Sequence, residues 1–202
     1  MDSRTRLLDA TTALLADRGY HGTGMKDILT ASGAVAGSLY HHFPGGKDEL
    51  AAACVRRAAE DIAARIERNL ATQPPGEAVD AFYEASAAAL RDSGFRNGCP
   101  VGTPAAETAT FAEPMSTAVA DAFGTWQAAL ARGLVAHGWP DDEAEQTASL
   151  LLSLFEGALL VARAEHSTAP LEAAARHSRA LVERVSSGSR PSGSPPTARR
   201  RS

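Results

Sequence analysis

A chain of 202 residues and 21.0 kDa, 44% hydrophobic and 22% charged, can bury a sizeable core as one large domain or two small ones sharing it. Aromatics at 5% and dense alanine argue against a β-sandwich or barrel, and two cysteines, Cys54 and Cys99, build neither a disulfide scaffold nor a zinc site. The net charge of −4 is unevenly spread: residues 1–47 carry 5 basic and 4 acidic side chains, residues 48–186 carry 11 and 20, and residues 187–202 carry 4 arginines and no acid, which points the N-terminal segment toward an anionic partner.

Asp2–Ser3 caps a first helix whose stripe is Leu7, Thr11, Leu14 and Leu15, and Gly19 ends it. Thr23 is placed as the N-cap of a second helix, Gly24 to Ser32, with Met25, Ile28 and Leu29 on one side and Gly33 at its end. A third follows over Ala36–Phe43, stopped by Pro44-Gly45-Gly46, and a fourth over Lys47–Ala71. Gln73-Pro74-Pro75-Gly76 is a break, after which a fifth helix runs from Glu77 to Asp92. Phe95–Pro104 is rich in breakers and predicts a loop, and a short helix spans Ala105–Phe111. Pro114 opens a helix to His137, which Gly138-Trp139-Pro140 stops. Asp141 and Asp142 suit the positive end of a helix reaching His166, and Ala169-Pro170 starts the last, to Val185. The tail Ser186–Ser202 has nothing to bury and is expected to be disordered. The fold class is all-α.

Helices two and three, joined at Gly33, have the form of a helix-turn-helix. At 100° per residue Leu39 and Phe43 anchor the third helix, Gly37, Ser38 and His41 face outward, and Tyr40 and His42 flank them. So compact and polar a set suits a major groove, with Tyr40 and Ser38 hydrogen-bonding bases or phosphates, and Lys47 sharing a phosphate with the amides that open helix four.

Thr23-Gly24-Met25-Lys26-Asp27-Ile28, Ala31-Ser32-Gly33, Gly37-Ser38-Leu39-Tyr40-His41-His42-Phe43 and Lys47-Asp48-Glu49-Leu50 resemble the N-terminal domain of the tetracycline-repressor (TetR-like) family, over about residues 3–55. Pro44-Gly45-Gly46-Lys47 and Gly98-Cys99-Pro100-Val101-Gly102 look like its LmrA/YxaF-type branch, a match less specific than the first. The resemblance implies a helix-turn-helix domain over residues 1–46 that contacts double-stranded operator DNA through Thr23, Gly37, Ser38, Tyr40, His41, His42 and Lys47, and an effector-binding, dimerising domain over residues 47–186. Where the family often has Ser-Lys, this chain has Val35-Ala36; it lacks a side-chain cap on helix three and a phosphate-seeking charge, so DNA affinity leans on Lys47, Tyr40 and helix N-termini.

In the second half, helix 141–166 is apolar on more than one face and must be buried on several sides. With the amphipathic last helix it forms half of a four-helix bundle that a second copy completes; Leu151, Leu154, Leu159, Ala174, Ser178 and Leu181 are the expected dimer residues. The competing reading is a central core helix in a monomer. A two-fold dimer sets its third helices about 34–36 Å apart or more, the spacing of a palindromic operator. Phe82, Tyr83, Cys99, Phe111, Met115, Phe123, Trp126 and Phe155 concentrate large or soft side chains, either plain core or the lining of a pocket for a largely apolar small molecule. Glu107 and Glu156 sit in apolar stretches and either pair a cationic ligand or reach solvent or an arginine.

No catalytic or metal-binding pattern occurs, so the expectation is a cytoplasmic, ligand-responsive repressor without a cofactor, not an enzyme. The N-terminus lacks the pattern of a signal peptide, and Leu150–Ala162, the most apolar stretch, is too short and too polar to span a bilayer. Two alternatives remain: a redox-responsive regulator using Cys99, or a helical interaction module without DNA binding.

Overall fold

The computed structural model describes residues 2–107 and 113–188, without the side chains of residues 184–188. Among these residues every regular element is a helix: α1 (Ser3–Arg18), α2 (Met25–Ser32), α3 (Ala36–His42), α4 (Gly46–Thr72), α5 (Pro75–Asp92), α6 (Gly102–Ala105), α7 (Met115–Ala136), α8 (Asp141–Glu165) and α9 (Ala169–Gly188).

Helices α1–α3 close around Leu7, Leu15, Ile28, Leu39 and Phe43, all buried. Gly33 has φ +62°, the left-handed conformation that glycine adopts without a Cβ penalty, and it ends α2 so that α3 can turn across it. The head shares one apolar core with the rest through α4, whose Leu50, Cys54 and Val55 sit under α1 and whose later residues face α5 and α7. Gly133 lets α7 approach closely, because a Cβ there would meet Leu70 at 2.2 Å. The Trp126 indole N–H donates to the Ala59 carbonyl at 2.9 Å, and His137 Nε2 lies 2.8 Å from the Leu70 carbonyl. On the other side α5 packs on α9, where Tyr83 and Ser178 hydroxyls meet at 3.1 Å in the interior.

Several local expectations change. Thr23 is fully buried and its hydroxyl donates to the Gly19 carbonyl at 2.7 Å, so it braces the turn after α1 instead of capping α2. Gly24 takes the cap position, and its N–H donates to Asp27 Oδ2 at 3.3 Å. The expected break falls at Gln73-Pro74, and α5 starts two residues earlier than expected, at Pro75, since proline lacks only an N–H that a first turn leaves unpaired. Pro114 stands just before α7, which begins at Met115. Residues 102–104 of the expected loop join Ala105 in the single turn α6, and the expected Ala105–Phe111 helix runs into residues outside the described set. Ser186–Gly188 extend α9, so three residues of the expected tail are helical; the remainder of that tail lies outside the described residues.

Helix α8 is longer than its most apolar stretch suggests: an 18-residue window of mean hydropathy 1.5 makes it apolar enough to cross a membrane by length and composition, and 22% of that window is buried. That hydropathy is divided between two sides of the helix. Leu151, Leu159 and Ala162 are buried in the chain's own interior, while Leu150 (47% exposed), Leu160 (66%) and Val161 (43%) face outward.

Candidate nucleic-acid interface and interior cavity

Burial of Leu39 and Phe43 fixes the roll of α3, and everything opposite them is open. Val35 is 72% exposed and Tyr40 53%; Ala36, Gly37 and His41 are exposed, and a Cβ on Gly37 would meet nothing within 4 Å. Ser38 is half-buried. His42 turns back toward α1, its Nε2 lying 2.8 Å from the Ser3 hydroxyl, so it steadies α3 rather than presenting a free edge. Of the outward set Gly37 and His41 are exposed and Ser38 half-buried; of the flanks Tyr40 is exposed and His42 half-buried; and Thr23, expected at the DNA as well, is buried.

Lys47 opens the second turn of contacts beside this face, with its ammonium 3.9 Å from the centre of the Tyr20 ring. Burial lowers its pKa, against the opposing pull of Asp48 and Glu107. The Tyr20 hydroxyl donates to Asp48, and burial followed by that carboxylate pushes the phenol pKa up. Arg4, which the spacing argument passed over, is exposed on the first turn of α1 with its guanidinium carbon 5.6 Å from the Phe43 ring, on the side where α3 ends. Its signal in the sequence was only a basic residue in an N-terminal turn.

The second feature is a cavity of about 280 Å³ between α4, α5, α7 and α8. Of the expected pocket residues it is lined by Phe82, Tyr83, Cys99, Trp126 and Phe155. Phe82 and Phe155 meet edge to face at 4.9 Å, and Tyr83 and Phe155 at 5.6 Å. Met115 is buried core away from this lining, Phe123 packs against Trp126 at 5.7 Å without reaching it, and Phe111 lies outside the described residues. Two of the expected dimer residues, Leu151 and Leu159, line the cavity instead, while Ala174 and Ser178 are buried and Leu154 and Leu181 half-buried. Sequence spacing could not tell which side of a doubly apolar helix its own protomer would cover.

Neither expected ligand carboxylate reaches the cavity. Glu107 accepts from the Tyr20 N–H at 3.1 Å and the His21 N–H at 2.9 Å, tying the turn after α1. Glu156 is wedged against Gly102 and Cys99 with Oε1 buried and unpartnered, and burial raises its pKa. Cys99 is 5% exposed, and burial, then the neighbouring Glu156, push its thiol well above the usual range. That is the opposite of the electropositive, accessible setting of a reactive thiolate.

The segment that carries Cys99 joins the two features. Asn97, Gly98, Cys99 and Pro100 form one wall of the cavity. From the same segment the Gly98 N–H donates to the Ala16 carbonyl at 3.0 Å and the Thr103 hydroxyl to the same carbonyl at 3.3 Å. Arg96 pairs with Asp17 at 2.7 Å, which holds that carboxyl below its ordinary pKa. Arg163 of α8 donates to the Asp17 and Arg96 carbonyls, each at 2.9 Å. The last turn of α1 is thus strapped to the cavity wall. No group of His, Cys, Asp and Glu suited to a metal ion occurs among the described residues.

An exposed helix-turn-helix, rigidly strapped to a helical half with its own cavity, defines a helix-turn-helix regulator. Residues 7–54 match the family model for bacterial regulatory proteins of the tetR family, and residues 75–177 match that for the LmrA/YxaF-like C-terminal domain of transcriptional regulators. The chain is 35% identical over 171 residues to the HTH-type transcriptional regulator YxaF of Bacillus subtilis, covering 84% of this chain and 90% of that one. It is 34% identical, over 84% and 91%, to LmrA of the same organism. The crystal structure of regulatory protein TetR from Rhodobacter sphaeroides is similar with a TM-score of 0.79 at 25% identity, over 89% of this chain and 98% of that one. The chain belongs to the TetR family of bacterial transcriptional regulators, in its LmrA/YxaF-like branch. It is a DNA-binding regulator and not an enzyme.

Proposed function

We propose that the protein is a cytoplasmic, ligand-released transcriptional repressor. Residues 1–46 form the reading head of a homodimer, and the remainder carries the effector site and the dimer contact. α3 enters the major groove of a palindromic operator with Gly37, Ser38 and His41 toward the bases. Tyr40, Lys47 and Arg4 reach phosphates; Lys47 leaves the Tyr20 ring to do so, at a cost of about 1–2 kcal/mol for a half-buried cation–π contact. The second copy covers the outward side of α8, where Leu150, Leu160 and Val161 stand uncovered in one protomer.

The observation that carries ligand release is the shared segment: residues 97–100 wall the cavity while Gly98 and Thr103 hold the Ala16 carbonyl at the end of α1. A ligand that fits best with this wall displaced also displaces α1 and, through it, the spacing of the two heads. Linkage then requires that operator weaken effector binding by the same factor by which effector weakens operator binding. A mobility-shift titration with DNA from the protein's own promoter region tests the reading. A specific shift at nanomolar protein is expected, and none anywhere in that region at low salt overturns it.

A further inference from the structure

The cavity is apolar over most of its surface but, among the described residues, is lined by one cation, Arg65. Ile62, Arg65, Ile66 and Asn69 are on the side of α4 that faces it, the spacing of one helical stripe. The Arg65 guanidinium lies 4.4 Å from the centre of the Phe82 ring, its Nε is buried without a hydrogen-bond partner, and it makes no ion pair with any described residue. No aspartate or glutamate is among the described residues that line the cavity. The other polar groups divide: the Tyr83 and Ser86 hydroxyls are taken by Ser178 and the Phe82 carbonyl, whereas the side-chain amides of Asn69 and Asn97 make no hydrogen bond among the described residues. A guanidinium stays charged at any physiological pH, and even half-buried, as Arg65 is, a cation without a counter-ion is costly to keep.

Resting on the reading of this cavity as the effector site, we propose that its ligand is an aromatic organic anion, whose carboxylate is held by Arg65 and whose ring lies among Phe82, Phe155 and Trp126. The cavity volume of about 280 Å³ falls at the lower edge of ordinary ligand pockets, roughly 300–1,000 Å³, so the body is one or two fused rings. A planar carboxylate accepts two parallel N–H bonds from a guanidinium, and the ring stack on Phe82 keeps the fork from collapsing onto the wall. A neutral ligand can offer Nε an acceptor but no counter-charge, and a cation is repelled. The charge of the ligand, more than its outline, thus separates the effector from other apolar metabolites.

Three probes of one shape test this by titration calorimetry on the full-length protein: 2-naphthoate, 2-naphthamide and 2-naphthylmethylammonium. The expected order is naphthoate tightest by about tenfold or more and the ammonium weakest, with Arg65→Met bringing naphthoate and naphthamide together. Equal affinities of naphthoate and naphthamide, or a gap that survives in Arg65→Met, overturn the anion while leaving the cavity an effector site. Failure of all three to bind overturns the cavity reading and the anion together. Should Arg65→Met not fold, the probe order on the unaltered protein decides, supported by Arg65→Lys, which keeps charge but not the fork and retains only part of the preference.

Discussion

Helices α3 and α8 each leave one side uncovered, and the two sides are chemical opposites. α3 shows Gly37, Tyr40 and His41, small or hydrogen-bonding groups on a helix of seven residues held by Leu39 and Phe43. α8 shows Leu150, Leu160 and Val161 on a helix of 25 residues whose other side already lines an interior cavity. Water tolerates the first side indefinitely, whereas a contiguous apolar stripe calls for a partner surface. In the proposed dimer the same chain offers one face to a polyanion and one to its second copy, and the distance between the two heads would be set by how the second face is covered.

The largest effect is expected from breaking the apolar side. Leu160→Glu places a carboxylate from each copy in the contact, and burying an unpaired charge costs about 3–5 kcal/mol. Sedimentation should show monomers at concentrations where the unaltered protein is a dimer. Operator affinity should fall by about a hundredfold or more, because the second half-site loses its tethered partner. Circular dichroism should remain that of a folded helical protein, since Leu160 is 66% exposed in the protomer. A dimer that survives this change assigns the stripe to something else.

The polar side should break with the reverse pattern. Tyr40→Ala and Lys47→Ala each remove a phosphate contact, weakening DNA about tenfold and lowering the salt slope by about one unit for the lysine. Dimer and fold should be untouched, as Tyr40 is 53% exposed and Lys47, half-buried, makes a ring contact with Tyr20 and no ion pair among the described residues. Unfolding of either variant makes these residues structural and removes them from the interface.

The inward side of α8 gives a control on the same helix. Burial raises the pKa of Glu156, and Oε1 has no partner. A carboxyl whose pKa is higher folded than unfolded binds more protons in the native state, so stability falls as pH rises from its unfolded pKa through its folded one. Glu156→Gln should flatten that slope and raise the melting temperature above that window. A fall at neutral pH reveals a charged partner that Glu156 needs. Neither outcome should alter the dimer.

How far each side was legible in the sequence follows from its chemistry. The roll of α3 follows from two large apolar residues four positions apart, and Leu39 and Phe43 are both buried where that spacing put them. The place of Thr23 differs because its hydroxyl can either accept from the N–H groups that open a helix or donate to the Gly19 carbonyl, and only the tertiary turn decides between them. α8 was legible as doubly apolar but not as to which side belongs to whom, so Leu151 and Leu159 went to the dimer when they belong to the cavity. Arg65 left no trace in the pattern, since an arginine on a long alanine-rich helix normally faces water. Glu107 stood out as an acid in an apolar stretch, but its partners are backbone N–H groups 86 and 87 positions away, which no spacing rule reaches.

The smallest expected effect sharpens the polar side without altering what it shows. Val35 occupies the N-cap of α3 in extended conformation, φ −92° and ψ 154°, and provides no side-chain hydrogen bond. A helix this short is marginal by itself; the Ser38 N–H already donates to the Val35 carbonyl at 3.0 Å, but the Ala36 and Gly37 N–H groups have no partner among the described residues. Val35→Ser places a hydroxyl where it can accept from the Gly37 or Ser38 N–H, a gain of about 1 kcal/mol by typical cap substitutions. Because Val35 is 72% exposed, little packing is lost in exchange. The melting temperature should rise by about 2–4 °C for a protein of this length. Operator affinity should rise less than it falls in Tyr40→Ala, since only the ordering of α3 changes and not its contacts. If affinity drops while stability rises, Val35 itself touches the duplex, and the reading side extends one residue beyond the helix.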